Sequence, residues 1–234
     1  MLNSQAAHAK TLRCAIMQSK PFGFMTEDGQ MTGIHYDTMK RIAEEAGFTF
    51  AAEIAPFARI IEQLKNGYAD LAMMYRNERI EEAAVIVGPT VRTDRIVIFG
   101  RKGVDYTSLE ALHGKVVAHL RGAHYDDALA ADEAIKKHYT TSYQQSLDMF
   151  LKKRVDAIVA PEYGLLFEAK SNGMPLDMFG EPLVLNIKTT YLFLSKKTMD
   201  DETLKILRIT LDRLRKMGVT NEIKSKYVRL LHSE

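Results

Sequence analysis

The 234-residue sequence contains one cysteine, Cys14, and no tryptophan. One cysteine cannot form an internal disulfide bond or provide the thiolates of a structural zinc site. No apolar run approaches the ~18 residues that a membrane-spanning helix needs. The formal net charge of +2 is too small and too evenly distributed for a nucleic-acid-binding surface. The seven histidines show no paired ligand spacing, such as i, i+4 on one helix, so we expect no metal and no cofactor.

Hydrophobic residues make up 46% of the chain, which is enough for one large domain or two small ones with their own cores. The first third has the pattern of alternating strands and helices with short connections, which implies a parallel sheet covered by helices. The predicted elements are a strand Leu12–Met17, a helix opening at Asp37, a strand Thr49–Ile54, a helix starting at Pro56 and a strand Ala69–Tyr75.

A second α/β unit follows, after an interruption expected at Gly88-Pro89. Its predicted strands are Arg95–Phe99, Lys115–Leu120 and Val155–Ala160, and a further strand, Thr190–Ser195, comes after this unit. Ser142 and Gln145 have the spacing of a capping box, which predicts the start of a helix. A helical tail closes the chain. Two such units leave a cleft at their junction, and clefts of this kind are favoured sites for small ligands.

The stretch from Ala69 to Arg79 is the most informative one in the sequence. An apolar strand ends there in a turn that carries Arg76 and Arg79. Open α/β sheets bind ligands at the carboxyl ends of their strands, and arginine offers a rigid fork of donors for a carboxylate or phosphate. The alternative is a solvated turn in which these arginines pair with Glu81 and Glu82.

Several short motifs occur in a recognisable order between Leu12 and Tyr227. They are Pro21-Phe22-x-Phe24, Asp70-Leu71-Ala72 leading to Glu78-Arg79, Ser108-Leu109-Glu110-Ala111-Leu112-His113-Gly114-Lys115, Val155-Asp156-Ala157-Ile158-Val159 and Asn221-Glu222-Ile223. Together they resemble the family-3 extracellular solute-binding proteins, the periplasmic receptors of amino-acid ABC importers.

The resemblance implies an α/β fold of two lobes, the type II periplasmic-binding-protein fold, in which each lobe is a mostly parallel sheet flanked by helices. Lobe one would comprise residues 1–93 and 190–234, and lobe two residues 94–189. The hinges would be Val91–Asp94 and Lys188–Thr190, and the ligand would be trapped when the lobes close.

The resemblance also implies particular ligand-binding residues. Arg79 matches the arginine that forks onto the carboxylate of an amino acid, and Phe57 matches the aromatic residue that packs on the ligand. The turn Arg121-Gly122-Ala123-His124 matches the one that donates backbone N–H groups. The other residues expected at the site are Phe22, Met74, Tyr75, Arg76 and Glu162.

Two departures from the family pattern concern the ligand. The Gly-x-Thr element that usually precedes the arginine is replaced by Met74-Tyr75-Arg76. The aspartate that pairs with an α-ammonium is replaced by Pro161, with Glu162 one position later. Recognition of an α-ammonium is therefore an open question, whereas a carboxylate fits Arg79. Arg76, Arg79 and Arg121 together would suit a ligand with more than one acidic group.

The expected function is that of a monomeric periplasmic receptor that binds a small carboxylate-bearing solute and delivers it to an ABC transporter permease. Ala7-His8-Ala9 has the small-x-small form of a signal-peptidase site, although no charged and apolar segment precedes it, and we expect a signal peptide to have been removed. The alternative for this stretch is the polar start of a cytosolic protein. We expect no catalysis. Two alternatives stay open because fold does not fix function. One is a dehydratase acting on cyclic dicarboxylates, with Glu162 and His124 as acid and base. The other is the input domain of a membrane sensor.

Overall fold

The computed structural model describes residues 10–232 and, within that range, leaves out the side chains of residues 91, 92 and 232. The strands are β1 Thr11–Met17, β2 Phe24–Met25, β3 Met31–Thr32, β4 Thr49–Ala55, β5 Leu71–Tyr75, β6 Ala84–Phe99, β7 Val116–Leu120, β8 Lys136–Thr140, β9 Ala157–Pro161 and β10 Leu183–Ser195. The helices are α1 Ile34–Glu45, α2 Phe57–Asn66, α3 Glu78–Ala83, α4 Asp127–Ala131, α5 Tyr143–Leu151, α6 Glu162–Ser171, α7 Asp201–Lys216 and α8 Val219–His232. Two 3-10 turns cover Glu110–Leu112 and Leu176–Met178.

Eight strands form a sheet in the order β4-β1-β5-β10-β6-β9-β7-β8. β1 is parallel to β4 and β5, and β7 is parallel to β8 and β9. Between these two parallel groups lie β10 and β6, which pair antiparallel with each other and with the strands on either side. The strands β2 and β3 form the small hairpin beside this sheet. The predicted α/β class is confirmed, with helices connecting the parallel strands.

The long strands β6 and β10 correct the predicted strand boundaries. Gly88-Pro89 does not interrupt the chain but lies inside β6, and the strands predicted from Arg95 and from Thr190 are the ends of β6 and β10. Pro89 pairs with Tyr191 beside a register shift between Thr189 and Tyr191. A proline lacks the N–H that a regular ladder needs, so it is tolerated where the ladder is already irregular.

Helix α1 begins at Ile34 rather than at Asp37. Its first N–H groups donate to backbone carbonyls, from Ile34 to Pro21 and from His35 to Phe22. These bonds satisfy two of the orphan donors of the first turn, and no side chain caps the helix. The helix therefore starts where the chain meets the Pro21–Phe22 segment. This start lies three residues before Asp37, the residue that the sequence indicated.

The predicted cap at Ser142 is confirmed, with a modification. Ser142 Oγ accepts a hydrogen bond from Gln145 N at 3.1 Å. The Gln145 side chain reaches back to the N–H of Thr141, at 2.7 Å, rather than to that of Ser142. Helix α5 is therefore fixed at its first turn, and that turn contributes Tyr143 to the site described below.

Candidate ligand-binding site

Four strands end around one cavity, which we call the inner cavity. Met17, Tyr75, Leu120 and Pro161 are the last residues of β1, β5, β7 and β9, and all four line it. The other lining residues are Phe22, His35, Phe57, Met73, Met74, Asn77, Ala123, His124, Tyr125, Tyr143 and Thr190. Its position at strand ends is the one that α/β sheets use for ligands.

The inner cavity is mostly apolar and nearly filled. None of the described residues that line it is a lysine, arginine, aspartate or glutamate. Its volume is about 30 Å³, which holds only one or two water molecules. A solute larger than this enters only when the segments around the cavity move apart.

Tyrosine hydroxyls at this cavity are hydrogen-bonded to neighbouring side chains. The hydroxyl oxygens of Tyr125 and Tyr143 lie 2.9 Å apart, and both residues are buried. Burial raises the pKa of Tyr125, and the neighbouring Tyr143 raises it further, so Tyr125 is a neutral phenol. Tyr75 donates from its hydroxyl to Oδ2 of Asp94 at 2.7 Å. These bonds fix the aromatic rings in the cavity wall.

Thr190 is different, because its side-chain hydroxyl is buried without a hydrogen-bond partner among the described residues. Only 1% of the residue is exposed, and it lines the inner cavity from β10. Its backbone carbonyl accepts a hydrogen bond from Thr90 Oγ1 at 2.9 Å. The hydroxyl of Thr190 can therefore form a hydrogen bond with a molecule in the cavity.

A second, outer cavity of about 740 Å³ adjoins the first and opens to solvent. Asn77, Ala123 and His124 line both cavities. The other residues of the outer cavity are Arg76, Glu78, Arg79, Gly122, Asp127, Tyr139 and Lys188. Three cationic side chains thus stand beside the entrance to an apolar space.

The two arginines of the outer cavity differ in how far they are engaged. Arg76 Nε and Nη2 lie 2.7 and 3.3 Å from the two carboxylate oxygens of Glu81, as the solvated-turn alternative expected. Arg79 lies only within 4.0 Å of Glu62, and both of these side chains are more than half exposed. The guanidinium N–H groups of Arg79 are therefore more available to a ligand than those of Arg76.

The turn after β7 closes over helix α2. Gly122 has φ +81°, and a Cβ placed on it would lie 3.4 Å from the Cβ of Ala58.

Lys188 Nζ donates to the carbonyl of His124 at 3.0 Å, which attaches this turn to β10. Burial lowers the pKa of Lys188, and nearby Asp127 and Asp126 oppose that change. His124 Nε2 lies 2.7 Å from Asp127 Oδ1.

Two predicted residues line neither cavity. Glu162 Oε2 lies 3.1 Å from Arg95 Nη1, so the carboxylate already has a cationic partner. Arg121 is exposed, and its backbone N–H donates to the carbonyl of Thr140. Neither residue is brought together with Arg79, and a ligand with several acidic groups gains no support from this geometry.

The remaining predicted residues are brought together. Phe22, Phe57, Met74 and Tyr75 line the inner cavity, Arg76, Arg79 and Gly122 line the outer cavity, and Ala123 and His124 line both. Sequence reasoning missed Met17 and Leu120, which the rule on strand ends would have found. It also missed Thr190, Tyr125 and Tyr143, for which the sequence carries no local signal.

Comparison with known proteins agrees with this fold. The sequence model of the family "Bacterial extracellular solute-binding proteins, family 3" matches residues 12–229, and the chain belongs to that family.

Within the described residues 10–232, no helix has the length and apolar character needed to cross a membrane. In the same range no group of three or more histidine, cysteine, aspartate or glutamate side chains is arranged to hold a metal ion.

Individual relatives carry similar names. The chain is 26% identical over 216 residues to the "Probable amino-acid-binding protein YxeM" of Bacillus subtilis (strain 168), covering 90% of this chain and 80% of that protein. It is 25% identical to an ancestral arginine-binding protein bound to arginine, with a TM-score of 0.80 over 94% of this chain and 99% of the other. A histidine kinase sensor domain similar to periplasmic binding proteins is 20% identical, with a TM-score of 0.82 over 94% and 96% of the two chains. The last likeness shows the fold alone.

Proposed function

We propose that this protein is the substrate-binding receptor of an ABC importer and that it captures a small carboxylate-bearing solute between two lobes. The observation that carries the proposal is the junction of a cationic outer cavity with an apolar inner one, at Asn77, Ala123 and His124. A solute with an anionic head and an apolar body fits that arrangement. Relatives named as amino-acid-binding support the class of ligand.

Arg79 is the proposed anchor for the carboxylate. Its guanidinium lines the outer cavity, and its only described ion-pair contact is the 4.0 Å approach to Glu62. A planar fork that meets a carboxylate makes two charge-assisted hydrogen bonds. Phe57, which lines the inner cavity from the first residue of α2, would cover the apolar part of the solute.

Residues 1–93 with 190–234 are proposed to move as one lobe against residues 94–189. The proposed hinges at Val91–Asp94 and Lys188–Thr190 coincide with a break in the ladder of β6 and β10. Between the Thr93–Thr189 and Pro89–Tyr191 pairs, the two strands do not remain in register. The contact of Gly122 with Ala58 would be the point where the lobes meet. A ligand favours the closed form to the extent that it contacts both lobes.

Delivery to a membrane permease, a periplasmic location and a monomeric state complete the proposal. The family is one of extracellular solute-binding proteins, which supports capture outside the cytoplasmic membrane. We propose no catalysis, because the best acid candidate, Glu162, is paired with Arg95 and lines neither cavity. An enzyme would need an acid or base within reach of the reacting atom.

The experiment is a thermal-shift screen on protein refolded to remove bound ligand. The panel contains amino acids, 2-oxo acids, dicarboxylates and polyamines. A ligand at 100 times its dissociation constant stabilises the protein by about 2.7 kcal/mol, which raises the Tm by roughly 5–10 °C. A carboxylate that raises the Tm, stays chemically unchanged and makes the protein more compact by small-angle X-ray scattering supports the receptor. A carboxylate that is consumed makes the protein an enzyme and contradicts the proposal.

A further inference from the structure

We infer that the solute is a carboxylate with an apolar body that carries a neutral oxygen, and not an ammonium, on the carbon next to the carboxylate. Such compounds are 2-oxo and 2-hydroxy acids with an aromatic or branched aliphatic side chain. The inference rests on the proposed function, because it describes the ligand of the same site. Three features of the two cavities lead to it.

The first feature is the composition of the inner cavity. Its walls consist mainly of Phe22, Phe57, Leu120 and Pro161 together with three methionines and three tyrosines. Methionine side chains have several rotatable bonds and adapt to different shapes, so this wall can part around an apolar group. A polar body would lose its hydration there and gain few hydrogen bonds in return, because most of the wall is apolar.

The second feature is the lack of a counter-charge for an ammonium. No described residue that lines the inner cavity is acidic, and the outer cavity has only Glu78 and Asp127. Asp127 is 97% exposed and lies 2.7 Å from His124. The buried carboxylate of Asp94 lies behind Tyr75, whose hydroxyl it binds. Like Asp127, Glu78 is exposed, and both of these carboxylates belong to the solvent-open outer cavity. An ammonium enclosed at the inner cavity would therefore lose water without a buried ionic partner, which is costly.

The third feature is the position of Thr190. Lys188 and Thr190 are two residues apart on β10, so their side chains lie on one face of the strand. Lys188 lines the outer cavity and Thr190 the inner one. The unpartnered hydroxyl of Thr190 therefore stands just inside the boundary between the cationic and apolar regions. The carbon next to a bound carboxylate reaches this boundary, and an oxygen on it can bond to the hydroxyl.

The test is calorimetric titration of the refolded protein with four acids that share a phenyl group and differ at one carbon. They are phenylpyruvate, phenyllactate, 3-phenylpropanoate and L-phenylalanine. A second set compares 4-methyl-2-oxopentanoate with L-leucine. We expect the 2-oxo or 2-hydroxy acid of a set to bind at least tenfold more tightly than the matching amino acid.

The variant Thr190→Val separates the hydroxyl from the shape of the site. It should weaken binding of the 2-oxo and 2-hydroxy acids by about 5- to 30-fold, the equivalent of one hydrogen bond. Binding of 3-phenylpropanoate, which has no oxygen at that carbon, should be unchanged. Thr220→Val is the matched control and should change neither, because the hydroxyl of Thr220 is also buried without a hydrogen-bond partner among the described residues but lines neither cavity. Thr190→Ser, which keeps the hydroxyl, should preserve the preference for the oxygenated acids.

The outcomes distinguish this inference from the proposed function. Tighter binding of L-phenylalanine and L-leucine than of their oxygenated analogues overturns the inference and leaves the receptor standing. Binding only of hydrophilic dicarboxylates has the same effect, because it removes the apolar body. Equal loss of all four phenyl acids in Thr190→Val assigns Thr190 a structural role and also overturns the inference. No binding of any acid in the wider panel overturns the receptor as well.

Discussion

The hydroxyl of Tyr75 donates a 2.7 Å hydrogen bond to Oδ2 of Asp94. The bond joins the last residue of β5 to the middle of β6, and Asp94 is only 4% exposed. Tyr75 lines the inner cavity and Asp94 does not, so a hydrogen bond to a residue outside the cavity helps to fix the position of the cavity wall. Tyr75 is also paired with Thr190 across the β5–β10 ladder. The cavity wall, the long strands and the hydroxyl of Thr190 are thereby connected.

Replacement of Tyr75 by phenylalanine should destabilise the fold. It removes one donor from a buried carboxylate, and such a loss costs about 1–3 kcal/mol. Urea denaturation of the unliganded protein measures the change. Tyr68→Phe is the control, because Tyr68 is 72% exposed and should tolerate the loss of its hydroxyl. Equal stability of the Tyr75→Phe variant and the wild-type protein would show that the bond contributes nothing to the fold.

The two arginines of the outer cavity should respond unequally to mutation. Arg79→Ala should weaken carboxylate binding by about 2–4 kcal/mol, the loss of a charge-assisted fork enclosed on closure. Arg76→Ala should cost less, because Glu81 already occupies its guanidinium. Calorimetry with a confirmed ligand measures both variants. Arg41→Ala, on α1 and paired with Glu45, is the control and should bind normally. A larger loss of affinity in Arg76→Ala than in Arg79→Ala would show that Arg76, and not Arg79, binds the carboxylate.

Gly122→Asn should impair ligand binding more than it impairs folding. Asparagine tolerates the positive φ of this position better than most residues do, but its side chain would project toward Ala58 and Phe57, which lie 3.4 and 3.8 Å from a Cβ there. Gly114→Asn is the matched control, since Gly114 has φ +77° with nothing within 4 Å of its Cβ position. We expect similar Tm values for the two variants and weaker binding only in Gly122→Asn. Normal affinity and normal compaction on X-ray scattering in Gly122→Asn would exclude this contact from closure.

Asp70 should make stability depend on pH in the acidic range. Burial alone would raise the pKa of Asp70, but hydrogen bonds from the Arg13 side chain and backbone N–H outweigh it and lower the pKa overall. Arg13 Nη2 and Nε lie 2.7 and 3.0 Å from the two carboxylate oxygens. The folded pKa is below the unfolded value of about 3.9. The stabilisation is therefore complete above that value and is lost as the pH falls through the folded pKa.

Asp70→Asn isolates this contribution. At pH 7 the variant should be about 1–3 kcal/mol less stable than the wild type, and the difference should shrink as the pH is lowered from 5 to 2. Urea denaturation at a series of pH values measures it. Glu27→Gln, in the exposed turn between β2 and β3, should follow the wild type throughout. A constant difference between Asp70→Asn and the wild type over this range would assign the loss to packing rather than to charge.

The parts of the fold that were predicted correctly are those with a periodic apolar pattern. The strand β1 is almost continuously apolar, and the helix α2 has one apolar face and ends at Gly67 with φ +73°. The strand β8 was missed because Lys136 to Thr140 is polar and mostly exposed at the edge of the sheet. The helix α6 was missed because its apolar residues do not form a single stripe.

The candidate site divides in a similar way. Phe57, Tyr75 and Arg79 lie at ends of elements, where the strand-end rule and the family motifs indicate function. Tyr143 and Thr190 were missed, because only the packing of distant segments brings them to the cavity. Thr190 lies inside a strand, and a single polar residue there has no pattern. The ion pair of Glu162 with Arg95 could not be predicted from the sequence either, because it joins β6 to α6 and α6 was itself not predicted.

The break in register between β6 and β10 has a mechanical consequence. Between the Pro89–Tyr191 and Thr93–Thr189 pairs, β6 has three residues and β10 has one, which is Thr190. On the proposed hinges, Thr190 therefore lies near the axis of rotation, whereas Arg79 and Gly122 belong to the two lobes that would rotate about it. For a given angle, points near an axis travel little and points at the end of a lever arm travel far. A solute held at Thr190 would keep that contact as the lobes open, while its contacts at Arg79 and Gly122 change. The contact at Thr190 would then exist in both the open and the closed form, whereas the contacts at Arg79 and Gly122 would depend on closure.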